Sequence, residues 1–161
     1  MRLDGSCHCG LVRFSCETRH PVPYMRCYCS ICRKTGGAGG YMINLAADAR
    51  TLEVEGAEHV KVYRAVVERA GERKKSDHHR HFCGECGTHL WAHHSRWPDH
   101  LHPVASAIDS DLPPAPAHVH MMVGSKAGWV PLDAAADDPR FDGYPDMSIA
   151  DWHEAHGQVV E

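Results

Sequence analysis

Cys7-His8-Cys9, Cys27-Tyr28-Cys29-Ser30-Ile31-Cys32 and Cys83-Gly84-Glu85-Cys86 contain seven of the chain's eight cysteines. Thiols two or three residues apart on short loops can converge on one ion, whereas a disulfide between near neighbours strains the backbone. The three clusters therefore point to divalent-metal ligation. In Cys83–Cys86, Gly84 and Gly87 let the backbone turn sharply enough for amide hydrogens to face the sulfurs. A redox-active Cys-x-x-Cys would need a βαβ setting, which the surrounding pattern does not offer. Cys7 and Cys9, two apart on an extended segment, point the same way. They complete the half-filled Cys83–Cys86 pair into a closed, structural four-thiolate site.

Cys27, Cys29 and Cys32 supply three thiolates to a second ion, and two readings of that site stand open. Its remaining position is free for water or a soft substrate thiolate, whose pKa the ion would lower. Alternatively, Cys16 or a histidine closes it into another structural site. Cys16 lies on the Val12/Phe14 face of the alternating run Leu11–Cys16, where a small buried hydrophobe is its simplest role. Arg33-Lys34-Thr35 and the run Gly36-Gly37-Ala38-Gly39-Gly40 read as an anion cradle or as a turn before the next strand.

The rest of the chain reads as strand-rich. Beyond Leu11–Cys16, strand candidates are Gly40–Ala46, Thr51–Glu55, His59–Val67, His79–Cys83, Thr88–His94, Val104–Ile108 and His118–Val123. Short strands between Gly, Pro and Asp turns favour a mainly β chain with a folded-over antiparallel sheet. Ser148 caps a C-terminal helix over Ile149–His156, with Asp151 as capping-box acid, Gly157 as stop, and Ile149, Trp152, Ala155 and His156 inward. Leu112-Pro113-Pro114-Ala115-Pro116 reads as a stiff connector rather than a boundary. Arg69–Lys75 reads as a basic loop and Asp133–Pro139 as a surface loop. Asp77-His78-His79-Arg80-His81 reads as a charged strand or loop, and His89, Trp91 and His93 as a row facing a cleft. His8 faces away from its flanking thiols.

At 161 residues the chain is expected to be one domain, 1–161. Its formal charge is −4, and seven thiolates with two dications would add roughly −3 more. That balance argues against nucleic acid as a partner. Neither an apolar leader nor a membrane-length apolar run is present, which excludes a membrane partner and favours the cytoplasm. There, thiols stay reduced and serve metals.

The order of the clusters resembles the glutathione-dependent formaldehyde-activating enzyme family. So do the flanks Gly5-Ser6-Cys7-His8-Cys9-Gly10, Cys29-Ser30-Ile31-Cys32-Arg33-Lys34 and Phe82-Cys83-Gly84-Glu85-Cys86-Gly87-Thr88, and the tail Tyr144–His153. The motif core runs over 5–88. The resemblance implies the Mss4-like fold, coiled antiparallel β-sheets around zinc with a short C-terminal helix. It implies two zinc ions per chain, a structural one on Cys7, Cys9, Cys83 and Cys86 and a catalytic one on Cys27, Cys29 and Cys32. The activity it implies is that of a carbon–sulfur lyase working on a thiol–aldehyde adduct, with glutathione as small-molecule partner and S-(hydroxymethyl)glutathione as product. Another Mss4-like role is a non-catalytic zinc-stabilised domain that binds a protein.

Overall fold

The computed structural model describes residues 1–36, 38–115 and 118–157. Along the chain run β1 (Arg2–Ser6), β2 (Arg13–Glu17), β3 (Tyr24–Cys27), α1 (Ser30–Gly36), β4 (Met42–Asn44), β5 (Ala47–Glu55), β6 (Val60–Arg69), β7 (Glu72–Cys83), β8 (His89–His94), β9 (His100–Pro103), β10 (His118–Met121) and α2 (Ile149–Ala155). They fall into two compact units. One comprises Met1, Thr18–Ala46 and the chain from Leu112 on; the other comprises Arg2–Glu17 and Ala47–Asp111. The proline-rich connector thus begins where the chain leaves one unit for the other. Pro116, like Gly37 of the glycine run, lies outside the described residues.

In the unit built on Arg2–Glu17 and Ala47–Asp111, a sheet runs in the order β1-β2-β5-β9-β8-β7-β6. Every neighbouring pair is antiparallel, so the mainly β, antiparallel expectation holds. In β2, Phe14 and Cys16 are buried opposite Gly5 and Leu3 of β1, and Ser15 between them is buried too. The Phe14 ring meets Trp91 of β8 at 5.1 Å between centroids. Full burial of Phe14, Leu90 and Leu101 contributes about 1.5–3 kcal/mol each. β6 and β7 form a long hairpin whose turn residues, Ala70 (φ 52) and Gly71 (φ 78), both take positive φ. Two such residues turn the chain in the sense that matches strand twist. The basic stretch Arg69–Lys75 is therefore the tip of this hairpin, with β7 starting at Glu72, and not a loop. Val104–Ile108 is not a strand. Ala105–Ala107 forms a 3₁₀ turn, consistent with the weak strand preference of Ala-Ser-Ala.

In the other unit a three-stranded sheet runs β10-β3-β4. β3 and β4 are antiparallel, but β10 lies parallel to β3. A long excursion of chain separates those two strands, as a parallel pairing requires. α1 was not anticipated, because its residues read as a metal loop followed by glycines. α2 begins with the expected capping box: Ser148 Oγ accepts from the Asp151 amide, and the Asp151 carboxylate accepts from the Ser148 amide. Gly157 follows at φ +63. The inward stripe differs from expectation, since Trp152 and His153 are buried while Ala155 and His156 are exposed. His153 Nε2 donates to the Val22 carbonyl at 2.5 Å, which turns that side chain inward.

Gly5 provides a test of the sheet's packing. A Cβ there would lie 2.5 Å from the Ala107 carbonyl oxygen and 2.6 Å from the Phe14 ring. Gly5→Ala should destabilise the protein by about 1–3 kcal/mol, read as a lower urea midpoint. Gly128→Ala, where nothing lies within 4 Å, should leave the midpoint in place.

Candidate metal centres

The β1–β2 and β7–β8 connections are built alike. Gly10 N–H donates to Cys7 O and Gly87 N–H to Cys83 O, each at 2.9 Å. The two glycines take φ +77 and +76. Cys7 N–H reaches Val12 O and Cys83 N–H reaches Thr88 O, again at 2.9 Å. These twin loops bring Cys7, Cys9, Cys83 and Cys86 together, with all four sulfurs within 4.8 Å of one another. The Cys7–Cys9 and Cys9–Cys83 sulfurs are 3.4 and 3.7 Å apart. A tetrahedral ion with sulfur bonds of about 2.3 Å spaces its ligands by about 3.8 Å, so this donor set fits zinc. Thr88 joins the loops: its hydroxyl accepts from the His8 amide at 3.1 Å and lies 3.2 Å from Cys86 Sγ.

Protonation follows from the crowding. The Thr88 hydroxyl and amide, with the Cys9 amide, bring the Cys86 thiol down to about 5. At Cys9 an amide bond from Leu11 pulls downward, but Cys7, burial, Cys86 and Cys83 together push it up to about 12. Without a cation these sulfurs cannot all carry charge, whereas a bound dication lets them.

Cys27 ends β3, Cys29 follows it, and Cys32 lies in α1. Their sulfurs also fall within 4.8 Å of one another. Cys27 and Cys32 are buried and Cys29 is half-buried. Among the described residues no fourth histidine, cysteine or carboxylate atom joins this group. The Cys32 amide donates to Cys29 Sγ at 3.3 Å. The Cys27 and Cys32 thiols, then the Cys32 and Ile31 amides, hold Cys29 down at about 2 against burial. Cys27 is raised by the same neighbours, Cys29 first, and by burial. Three sulfurs gathered around one negative charge suit a soft divalent ion with three protein ligands.

Cys16 on β2 is 1% exposed. Burial, then Glu17 and Asp4, push its thiol up to about 12, in keeping with a small apolar role. His8 is exposed, as expected. Of the row on β8, His89 and Trp91 are buried and His93 is half-buried. His81 stacks on Trp91 at 5.1 Å, and burial, then His79 and His93, bring it down to about 4. Of the glycine run, Gly36 ends α1 and Gly40 sits at φ +90 against Val130.

Sequence reading missed a buried polar chain beside the three-thiol group. Tyr28 and His120 are both 0% exposed and Asp138 is 8% exposed. Tyr28 Oη is 2.9 Å from His120 Nδ1, and His120 Nε2 is 3.3 Å from Asp138 Oδ2. Asp138 also accepts from the His118 amide at 3.0 Å and the Ala135 amide at 2.9 Å. Asp133–Pro139 is therefore not wholly a surface loop. No spacing rule joins residues 28, 120 and 138, so only the fold reveals them.

The profile of the family described as glutathione-dependent formaldehyde-activating enzyme matches residues 2–124. A Halomonas elongata protein named "Putative glutathione-dependent formaldehyde-activating enzyme" is 53% identical over 157 residues, 98% of each chain. A Rhodobacter sphaeroides protein of known crystal structure aligns with a TM-score of 0.50 at 24% identity. The alignment covers 70% of this chain and 92% of that one, which supports the fold alone. Among the described residues no helix is long and apolar enough to cross a membrane. With the profile spanning both cysteine-bearing units, the chain belongs to the glutathione-dependent formaldehyde-activating enzyme family.

Proposed function

We propose that this protein is a zinc-dependent carbon–sulfur lyase that joins the thiol of glutathione to formaldehyde in a reducing, cytoplasmic setting. Residues 1–161 act as one functional domain, because the segments of the two compact units alternate along the chain. Cys7, Cys9, Cys83 and Cys86 hold a structural zinc, and Cys27, Cys29 and Cys32 hold a catalytic one. The observation that carries the reading is a group of three thiols, one of them half-buried, that no fourth ligand atom among the described residues completes.

A zinc ion on that trio would keep a substrate thiol ionised at neutral pH. Addition forms a bond between sulfur and the formaldehyde carbon as the carbonyl π pair moves to oxygen. That oxygen takes the proton the thiol released, giving S-(hydroxymethyl)glutathione; the reverse splits the carbon–sulfur bond. Arg33, half-buried immediately after Cys32 on α1, adds positive charge near the trio. That charge favours an anionic substrate such as glutathione.

Purified protein should contain two zinc ions per chain. Cys29→Ser should retain one ion and lose the acceleration of formaldehyde–glutathione equilibration. Cys83→Ser should also lose one ion and unfold at lower denaturant. Fully loaded protein that leaves the equilibration rate unchanged would sink the enzymatic reading.

Acid should strip the two centres in sequence. Protons compete for thiolates, so metal is held at high pH and released as pH falls. The three-thiol centre, with fewer ligands, should empty at the higher pH. In chelator-treated protein at pH 6, iodoacetamide should alkylate exposed Cys86 early, its thiol lying near 5. Buried Cys16, near 12, should react far later than Cys86. Re-added zinc should protect Cys86 and leave Cys16 unchanged, as mass spectrometry of the labelled peptides would show.

A further inference from the structure

Tyr28 stands between two members of the three-thiol group. It follows the last residue of β3 and its side chain is wholly buried. It enters a closed pocket of polar partners. The ring stacks on His120 at 5.7 Å and 17° and meets Tyr41 at 5.3 Å. Its amide donates to the Met121 carbonyl at 3.0 Å, and its hydroxyl reaches His120 Nδ1.

The direction of the chain is determined. Burial depresses His120, which keeps the imidazole neutral despite Asp138. Burial opposes ionisation of Asp138, but the His118 and Ala135 amides and His120 outweigh it and hold the carboxyl low. An ionised carboxylate accepts only, so His120 carries its proton on Nε2 and presents Nδ1 as an acceptor. The Tyr28 hydroxyl is then the donor. Every buried polar atom along this line, from Tyr28 Oη to both Asp138 oxygens, has a partner.

Apolar side chains of similar volume would fill this space without the desolvation cost of three polar groups. A fully satisfied buried network earns its place by specifying one arrangement. We infer that Asp138 and His120 are positioning residues for the three-thiol centre: the Asp138–His120–Tyr28 chain fixes the backbone between Cys27 and Cys29, and with it the geometry in which the trio grips a metal. Hydrogen-bond partners beyond the ligands commonly tune metal affinity 10- to 100-fold, roughly.

The inference rests on the trio being a metal centre, and the test separates the two. Wild type, Asp138→Asn, Tyr28→Phe and Cys29→Ser would be loaded with cobalt(II), and thiolate-to-cobalt charge transfer followed during chelator titration. Cys29→Ser supplies the signal of the four-thiol centre alone. Asp138→Asn removes the charge that sets the His120 tautomer, while Tyr28→Phe keeps the ring and deletes only the hydroxyl. Both variants should bind cobalt at the trio about 10- to 100-fold more weakly and shift its d–d bands. The four-thiol signal should keep its wild-type affinity, reporting an intact fold. Wild-type affinity and spectrum at the trio in both variants would overturn the positioning role while leaving the proposed function intact. Loss of the four-thiol signal in both variants would overturn it too, marking the chain as general scaffold. A single cobalt site in wild type would overturn this inference and the two-metal reading together.

Discussion

Sulfur atoms held within 4.8 Å of one another cannot all ionise unless positive charge sits among them. That constraint governs both centres. It appears in the spread of the thiols: Cys29 sits near 2 while Cys27 is driven up, and Cys86 sits near 5 while Cys9 sits near 12. Each group behaves as one titrating cluster, with protons shared among its members. A dication resolves the conflict in either place, and the number of ligands decides what else it can do.

The two centres obtain their geometry by different means. The four-thiol group lies at the ends of paired strands, where β1–β2 and β7–β8 register places the loops and backbone bonds repeat almost identically in each. Paired strands on both sides locate the loops, and Thr88 links them. An ion shared by Cys9 and Cys83, 74 residues apart, would close a long loop, and closing a long loop is where a cross-link restricts the unfolded chain most.

Much of this was legible in the sequence because the relevant rules are local. Cysteine spacing identified all seven ligand candidates, the Ser148/Asp151 capping box located α2, and Phe14/Cys16 alternation located β2. What was missed lacked a local signature. β1 alternates Leu3 with Gly5, and a glycine facing Phe14 reads as a turn residue rather than a core position. α1 was hidden because Cys29 and Cys32 read as metal loop, although Thr35 Oγ1 bonds back to Ile31 O as helical threonines do. β7 was begun seven residues late, because Arg73, Lys74 and Lys75 carry charge into a strand with exposed side chains. Tyr28, His120 and Asp138 meet only through the parallel pairing of β10 with β3, which no short-range pattern encodes.

That parallel pairing also accounts for where the polar chain occurs. The three-thiol group sits at the end of β3, in a sheet of only three strands, with its last member on a helix of 7 residues. Backbone register holds Cys27 against Met121 but ends there, leaving Tyr28 and Cys29 outside any strand. Short helices and small sheets have little stiffness of their own. A segment carrying ligands beyond the last ladder bond therefore needs side chains to locate it. The Tyr28 amide bond to Met121 extends the ladder by one residue, and the hydroxyl bond to His120 locks the next degree of freedom. Asp138, anchored by two backbone amides, ties the imidazole to the 135–138 turn. The centre with fewer ligands and less sheet is thus the one given a buried polar brace, while the four-thiol centre, framed by strands, has none of this kind among the described residues.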